Sequence, residues 1–234
     1  MEKFIFIGKT LYFPMQKILV LGDLHIGYEE YLNKQGIMIP RSQFKETLND
    51  LEKVFIETGK INEIIVLGDL KHEFGQISSQ EWRETKEILD IFKSKAKKVI
   101  LVKGNHDTIL GPIAQRKELK IKDYYIKNKI CFLHGHKIFS DCLKENIEMI
   151  VIGHRHPAIV LSDKYKKERY KCFLIGNWKK KKIIIIPSFF PFVEGSDVLL
   201  EDNKLFIPEK DLREFEVWVV GDKAYKFGKI KGIM

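Results

Sequence analysis

Asp23 with His25, Asp69, Asn105 with His106, His134, and His154 with His156 form short polar knots, most of them next to a glycine. A tight turn has use for Gly, Asn or Asp but none for an imidazole. Six of the seven histidines stand at or beside the end of an apolar run, and the seventh, His72, follows Asp69 by three residues. A lone histidine there is ordinarily a turn or core residue satisfied by hydrogen bonds. Repeated alongside two aspartates and an asparagine, the pattern points to one shared site. Asp, His and Asn without Cys suit Mn²⁺, Fe or Zn²⁺ rather than a thiolate centre, and imidazole suits these ions better than Ca²⁺ or Mg²⁺. Seven candidate ligands exceed what one tetrahedral ion needs and fit two ions with a shared ligand. Such a pair favours in-line attack at phosphorus, and the shared ligand must be anionic to offset the repulsion between cations.

The apolar pattern supplies the elements that would gather these residues. Runs at 17–23 (KILVLGD), 63–69 (EIIVLGD), 98–105 (KVILVKGN) and 149–154 (MIVIGH) are short, rich in Val, Ile and Leu, and do not alternate. They read as strands buried on both faces. Between them, 42–59 places Phe44, Leu48, Leu51 and Phe55 at helical spacing with Gly59 as the stop. The stretch 78–93 opens with Ser78 and Glu81 as a capping box. Strand and helix alternate as in a largely parallel sheet, whose ligands collect beyond the carboxyl ends of its strands. In the second half, 124–136 reads as a hairpin about Lys127-Asn128 and 170–189 as another turning near 177–181, so a second, antiparallel sheet is expected. Residues 194–234 carry two or three short strand patterns and no recognisable chemistry.

With 234 residues, 44% hydrophobic and 31% charged, the chain can build one substantial core, and a single domain over 1–234 is expected. Its apolar runs are too short and too interrupted by charge for a membrane span, the N-terminus lacks the pattern of a signal peptide, and a cytoplasmic location is expected, with no membrane partner. Cys131, Cys142 and Cys172 are too few and scattered for a disulfide framework or a Cys-rich zinc site. A net charge of +9 favours an anionic partner, nucleic acid or another phosphate ester. A solvated Lys-rich surface of the kind thermophile proteins carry reads equally well. NWKKKK (177–182) could track a nucleic-acid backbone or form a hairpin tip, and PSFFPF (187–192) could offer a ring to a base or pack in the core.

In order along the chain, Asp23-Leu24-His25, Gly68-Asp69-Leu70-Lys71-His72, Gly104-Asn105-His106-Asp107, His134 and Gly153-His154-Arg155-His156 resemble the calcineurin-like metallophosphoesterase superfamily, over about 17–192. GDLKHEF and the GIMIP before the first long helix resemble its archaeal and bacterial branch, which includes ligase-associated DNA-damage-response phosphoesterases. The resemblance implies an α/β fold, a four-layer α-β-β-α sandwich with two facing mixed sheets. It implies two divalent ions, Mn²⁺ foremost with Fe, Zn²⁺ or Ni²⁺ as alternatives. One would be held by Asp23, His25, Asp69 and His156, the other by Asp69, Asn105, His134 and His154, with Asp69 bridging.

His106 would then contact the phosphoryl oxygen or protonate the leaving group, Asp107 would orient its ring, and Arg155 would meet substrate phosphate through its fork or form a structural ion pair. His136 reads as a supporting or structural residue, and His72 is not assigned to metal. The activity implied is hydrolysis of nucleic-acid or nucleotide phosphodiesters by in-line attack of a metal-bridging hydroxide. A small-molecule phosphomonoesterase and a non-catalytic scaffold on the same fold are the alternatives.

Overall fold

Two short antiparallel strands, Ile5–Ile7 (β1) and Thr10–Phe13 (β2), lead into the first apolar run, Ile18–Leu21 (β3), in the computed structural model, which describes residues 3–73, 78–162, 166–200 and 206–233. Helices Tyr28–Lys34 (α1) and Gln43–Thr58 (α2) connect β3 to Ile61–Leu67 (β4). Ser79–Lys95 (α3) connects β4 to Ala96–Val102 (β5), and Gly111–Arg116 (α4) leads to the edge strand Ile121–Lys122 (β6). The six strands lie in sequence order, with β3 through β6 parallel. This is the strand–helix grammar read from the sequence.

The second sheet takes Tyr124–Lys127 (β7), Ile130–Leu133 (β8), Met149–Ile152 (β9), Pro157–Ser162 (β10), Lys167–Trp178 (β11), Lys181–Ile185 (β12) and Ser196–Asp197 (β13). After a single helical turn, Glu209–Leu212 (α5), Glu216–Val220 (β14) and Ala224–Lys229 (β15) complete it. The order is β13-β10-β11-β12-β9-β8-β7, with β14 pairing β11 and β15. The expected hairpins form, about Asn128-Lys129 and Lys179-Lys180, both with positive φ at the two turn residues, the geometry that matches strand twist. The first turn is one residue later than the sequence indicated. This sheet is not purely antiparallel: β9 runs parallel to both β8 and β12, so the hairpins flank a parallel centre.

Side-chain alternation sorts the buried strands into three cores. Leu19, Leu21, Ile64 and Val66 pack against α2, α3 and α4. Val20, Ile65, Leu67 and Ile100 face Phe132, Val151, Phe173 and Ile184 across the two sheets, where the Phe6 and Phe173 rings stack at 4.1 Å. The outer face of the second sheet is covered by α5, the turn Ser140–Leu143 and nearby loops, through Cys142, Leu212 and Phe215. The fourth layer is therefore built of single turns among the described residues. Cys131 and Cys142 form one disulfide, with Cα atoms 5.4 Å apart, where the cysteine count had pointed to no framework; Cys172 is buried and free. No helix among the described residues is long and apolar enough to cross a membrane.

Two sequence readings change in detail. Ser78 accepts from the Glu81 N–H at 3.0 Å, but the Glu81 carboxylate does not return to close a capping box; it accepts from the His72 and Glu73 N–H groups, each at 2.9 Å. Lys181 in NWKKKK is buried, donating to the Lys144 and Ile147 carbonyls at 2.6 and 2.7 Å; Lys179 and Lys180 form the exposed turn, and Lys182 is exposed on β12. In PSFFPF, Phe189 and Phe190 are buried as core packing requires.

That segment is also a strut. Phe189 and Phe190 donate backbone hydrogen bonds to the Gly22 and Asp23 carbonyls at 2.9 and 3.1 Å. Lys171 on β11 holds it in place, donating to the Ser188 carbonyl and hydroxyl at 2.9 Å each and to the Phe190 carbonyl. Burial of the ammonium, with the nearby Lys9 charge adding to it, pushes Lys171 down to about 7. Its unfolded value is near 10.5, so between the two the unfolded chain binds more protons and stability rises with pH. Chemical denaturation should therefore show the wild type gaining about 1 kcal/mol or more over Lys171→Met between about pH 7 and about pH 9.5. A constant difference would refute this linkage.

Candidate metal centre

β3, β4, β5, β8 and β9 end at one edge of the two sheets, and there the backbone turns abruptly. Asp23, His25, Asp69, His154 and His156 all adopt positive φ, between 47° and 65°. For residues with a Cβ this conformation is strained by about 1–3 kcal/mol each and persists only where the surroundings enforce it. Cross-loop hydrogen bonds do so: Asp23 N–H to Gly68 O and His25 N–H to Asp69 O, both 3.0 Å, and His154 N–H to Asp23 Oδ2 at 2.9 Å. The glycines in these knots are spacing requirements. A Cβ on Gly104 would fall 2.1 Å from Asp69 Oδ1.

All seven candidate ligands meet around Asp69. Its Oδ2 lies 3.3 Å from His134 Nε2 and 3.9 Å from His25 Nε2. On one side, His134 Nε2 is 2.9 Å from both Asn105 Oδ1 and His154 Nδ1. On the other, His156 Nε2 is 3.3 Å from His25 Nε2 and 3.4 Å from Asp23 Oδ1. Asp23/His25/His156 and Asp69/His134/His154 each present one ligand atom apiece within 4.8 Å of one another.

The donor chemistry fits cations. His134 Nδ1 lies 2.7 Å from the Leu67 carbonyl, which can only accept, so Nδ1 carries a proton and Nε2 is the nitrogen turned toward Asp69, Asn105 and His154. Asp23 Oδ1 is buried and has no hydrogen-bond partner, an expensive state for a carboxylate unless a positive charge compensates it. Burial pushes His25 down to about 3 and His154 to about 4, with neighbouring imidazoles adding to it, so both rings are neutral and able to ligate. Burial would raise Asp23 and Asp69, but the imidazoles beside them, His156 and His134 respectively, hold both carboxyls below their ordinary range. His134 itself is pushed up to about 9, burial being outweighed by the Asp69 and Asp23 carboxylates. The cluster thus places a proton where it calls for positive charge.

His106 sits beside the cluster. Its N–H donates to Asp69 Oδ1 at 2.9 Å, its Nδ1–H donates to the His72 carbonyl at 2.6 Å, and its Nε2 lies 4.0 Å from Asp69 Oδ2.

Two expected roles are corrected. Asp107 does not orient the His106 ring; its carboxylate accepts from the Leu70 and Gly104 N–H groups at 3.1 and 2.9 Å, bracing the two ligand-bearing loops together, and burial raises it to about 6. Arg155 is only 7% exposed, with its guanidinium near the core residue Cys172. A fork so enclosed is not presented to a substrate phosphate. His136 is exposed, its ring 5.3 Å from that of His134. The His72 ring lies against Tyr28 and Tyr31, with Nδ1 3.4 Å from His25 Nδ1, and His25, His72 and His106 form a third possible ligand group.

Sequence reasoning missed Lys71, fully buried and donating to the His106 carbonyl at 2.7 Å; a lysine inside the GDLKH block was the available signal. Phe74, near the end of the GDLKHEF stretch, and 201–205 in the C-terminal region lie outside the described residues.

The sequence model of the calcineurin-like phosphoesterases matches residues 16–205, most of the chain and every one of these loops. The chain belongs to the calcineurin-like phosphoesterase family. As a member it is a metal-dependent phosphoric ester hydrolase. No curated protein matches it. Similar solved structures include the Pseudomonas putida nuclease MPE, 19% identical with a TM-score of 0.66 over 94% of this chain and 92% of that one. The Escherichia coli phosphoesterase Yfce is 17% identical, with a TM-score of 0.42 over 81% and 96%. Vacuolar protein sorting 29 from Cryptosporidium parvum is 16% identical, with a TM-score of 0.40 over 91% and 97%. At these identities the likeness is one of fold.

Gly104→Ala tests the crowding of this phosphoesterase site. The new methyl must displace Asp69, so titration calorimetry should show Mn²⁺ affinity falling about 10–100-fold while circular dichroism stays native. Unchanged affinity would show that the contact between Gly104 and Asp69 is not needed.

Proposed function

We propose that the cluster holds two divalent cations, Mn²⁺ foremost, and that the enzyme hydrolyses phosphodiester bonds of nucleic acids or nucleotides. Asp23, His25 and His156 would hold one ion, Asn105, His134 and His154 the other, with the Asp69 carboxylate shared. The observation that carries this reading is the convergence of both ligand groups on Asp69 Oδ2. When bound, such a pair of ions neutralises phosphoryl oxygens and lowers the pKa of water at the site.

The remaining chemistry belongs to the chain. His106 keeps its Nδ1 proton on the His72 carbonyl, so it serves as the doubly protonated imidazolium, whose Nε2–H hydrogen-bonds a phosphoryl oxygen or passes its proton to the departing alkoxide, leaving the neutral ring. Asp107 and Lys71 hold the loop on which His106 rides. The +9 charge supports a polyanionic diester over a small monoester, as does fold likeness to a nuclease.

His106→Ala should keep its Mn²⁺ content by elemental analysis and lose about 10²–10⁴-fold in kcat on bis-p-nitrophenyl phosphate. A chelator should abolish wild-type turnover and added Mn²⁺ restore it. Full activity in the variant would contradict the role of His106, and preference for p-nitrophenyl phosphate over the diester would contradict the substrate class.

A further inference from the structure

A second charged feature lies at the open edge of the first sheet. A groove of about 440 Å³ runs along β5 and the two-residue β6, lined by Lys93, Lys97, Lys98, Lys120 and Lys122 with Glu118 as the one carboxylate. Five lysines less one glutamate leave +4 within ten lining residues, against +9 for all 234. All five lysines are exposed. Lys98 lies 3.5 Å from Glu63, which also binds Lys127. No carboxylate lies within ion-pair distance of Lys97, Lys120 or Lys122 among the described residues. The Tyr125 ring is shared by Lys98 and Lys122, whose ammonium groups lie 5.3 and 5.5 Å from its centre. Collecting like charges in a concave surface raises their mutual repulsion and focuses the potential on an incoming anion.

The groove is connected to the site. β5 begins among these lysines and ends at Val102, about 20 Å away at about 3.3 Å per residue, two residues before Gly104-Asn105-His106. Exposed Lys103 bridges the gap, its N–H donating to the Lys122 carbonyl at 2.8 Å. A positively charged groove that tracks the backbone is how sequence-tolerant proteins follow a single strand, and the Tyr125 ring lies beside this one, against Lys98 and Lys122.

We propose that this groove binds the sugar–phosphate backbone of a single-stranded nucleic acid whose scissile diester lies beside Asp69 and His106. The proposal rests on the diesterase reading for its substrate, but the groove itself can be tested by binding alone. Fluorescence anisotropy with a labelled 20-nucleotide oligo-dT, on Mn²⁺-loaded protein in the His106→Ala background, compares Lys97→Glu/Lys120→Glu with Lys179→Glu/Lys180→Glu at the hairpin tip.

The groove pair should weaken binding about tenfold or more and reduce the slope of log affinity against log salt by about 1.4. The tip pair should change neither. In the wild-type background, the groove pair should leave hydrolysis of bis-p-nitrophenyl phosphate unaltered. Unchanged affinity and slope in the groove pair, a larger loss in the tip pair, or tighter binding to duplex than to the single strand would each overturn the proposal. Wild type that cleaves the small diester but does not bind the oligonucleotide would refute the groove alone. Wild type that cleaves no diester yet binds through the groove lysines would refute the catalytic reading alone.

Discussion

Asp23 and Asp69 are buried carboxylates beside the neutral His25 and His154 rings, and the cluster answers them by holding a proton on His134, 3.3 Å from Asp69 Oδ2. Electrostatics forbids such a packing of carboxylates unless positive charge enters between them, because an uncompensated buried carboxylate costs several kcal/mol. Much else in the molecule can be read as a consequence. The left-handed residues at the strand ends aim side chains inward from loops that cannot otherwise approach one another. Gly104 passes Asp69 at a distance that admits no Cβ. The strain is offset by the sheets behind, whose strands are packed on both faces and cannot yield.

Around this centre the loops are fastened by residues with no part in holding metal. Asp107 joins the Leu70 and Gly104 backbones, Lys71 holds the His106 carbonyl, Glu81 takes two loop N–H groups, and Lys171 secures the segment bonded to Gly22 and Asp23. Each satisfies backbone groups that would otherwise be buried without partners. The site is rigid because its supports are hydrogen-bonded to the main chain, independently of the side chains that do chemistry.

Much of this was legible in the sequence. Strands buried on both faces leave unalternated Val, Ile and Leu, and their ends announce themselves by Gly followed by Asp, Asn or His, so Asp23, Asp69, Asn105 and His154 could be placed on one edge. Roles set by side-chain direction were not legible. Asp107 follows His106 directly, yet its carboxylate turns to two backbone N–H groups, and Arg155 stands between His154 and His156 but faces the core near Cys172. Arg155 points away from its neighbours because His154 and His156 are both left-handed, and Asp107 points away from His106 because it starts a helical turn, and composition carries no trace of either. The parallel placement of β9 and the reach of Lys71 are likewise long-range facts. Lysine count hinted at an anionic partner, but only the fold brings together residues of α3, β5 and β6 into one groove while burying Lys181.

The central claim is that positive charge belongs on both sides of Asp69. Anomalous diffraction at the manganese edge, on crystals grown with Mn²⁺, addresses it directly. Two peaks per chain are predicted, one among Asp23, His25 and His156 and one among Asn105, His134 and His154, with the Asp69 carboxylate touching both. A single peak, or peaks that leave Asp69 without a metal contact, would contradict it.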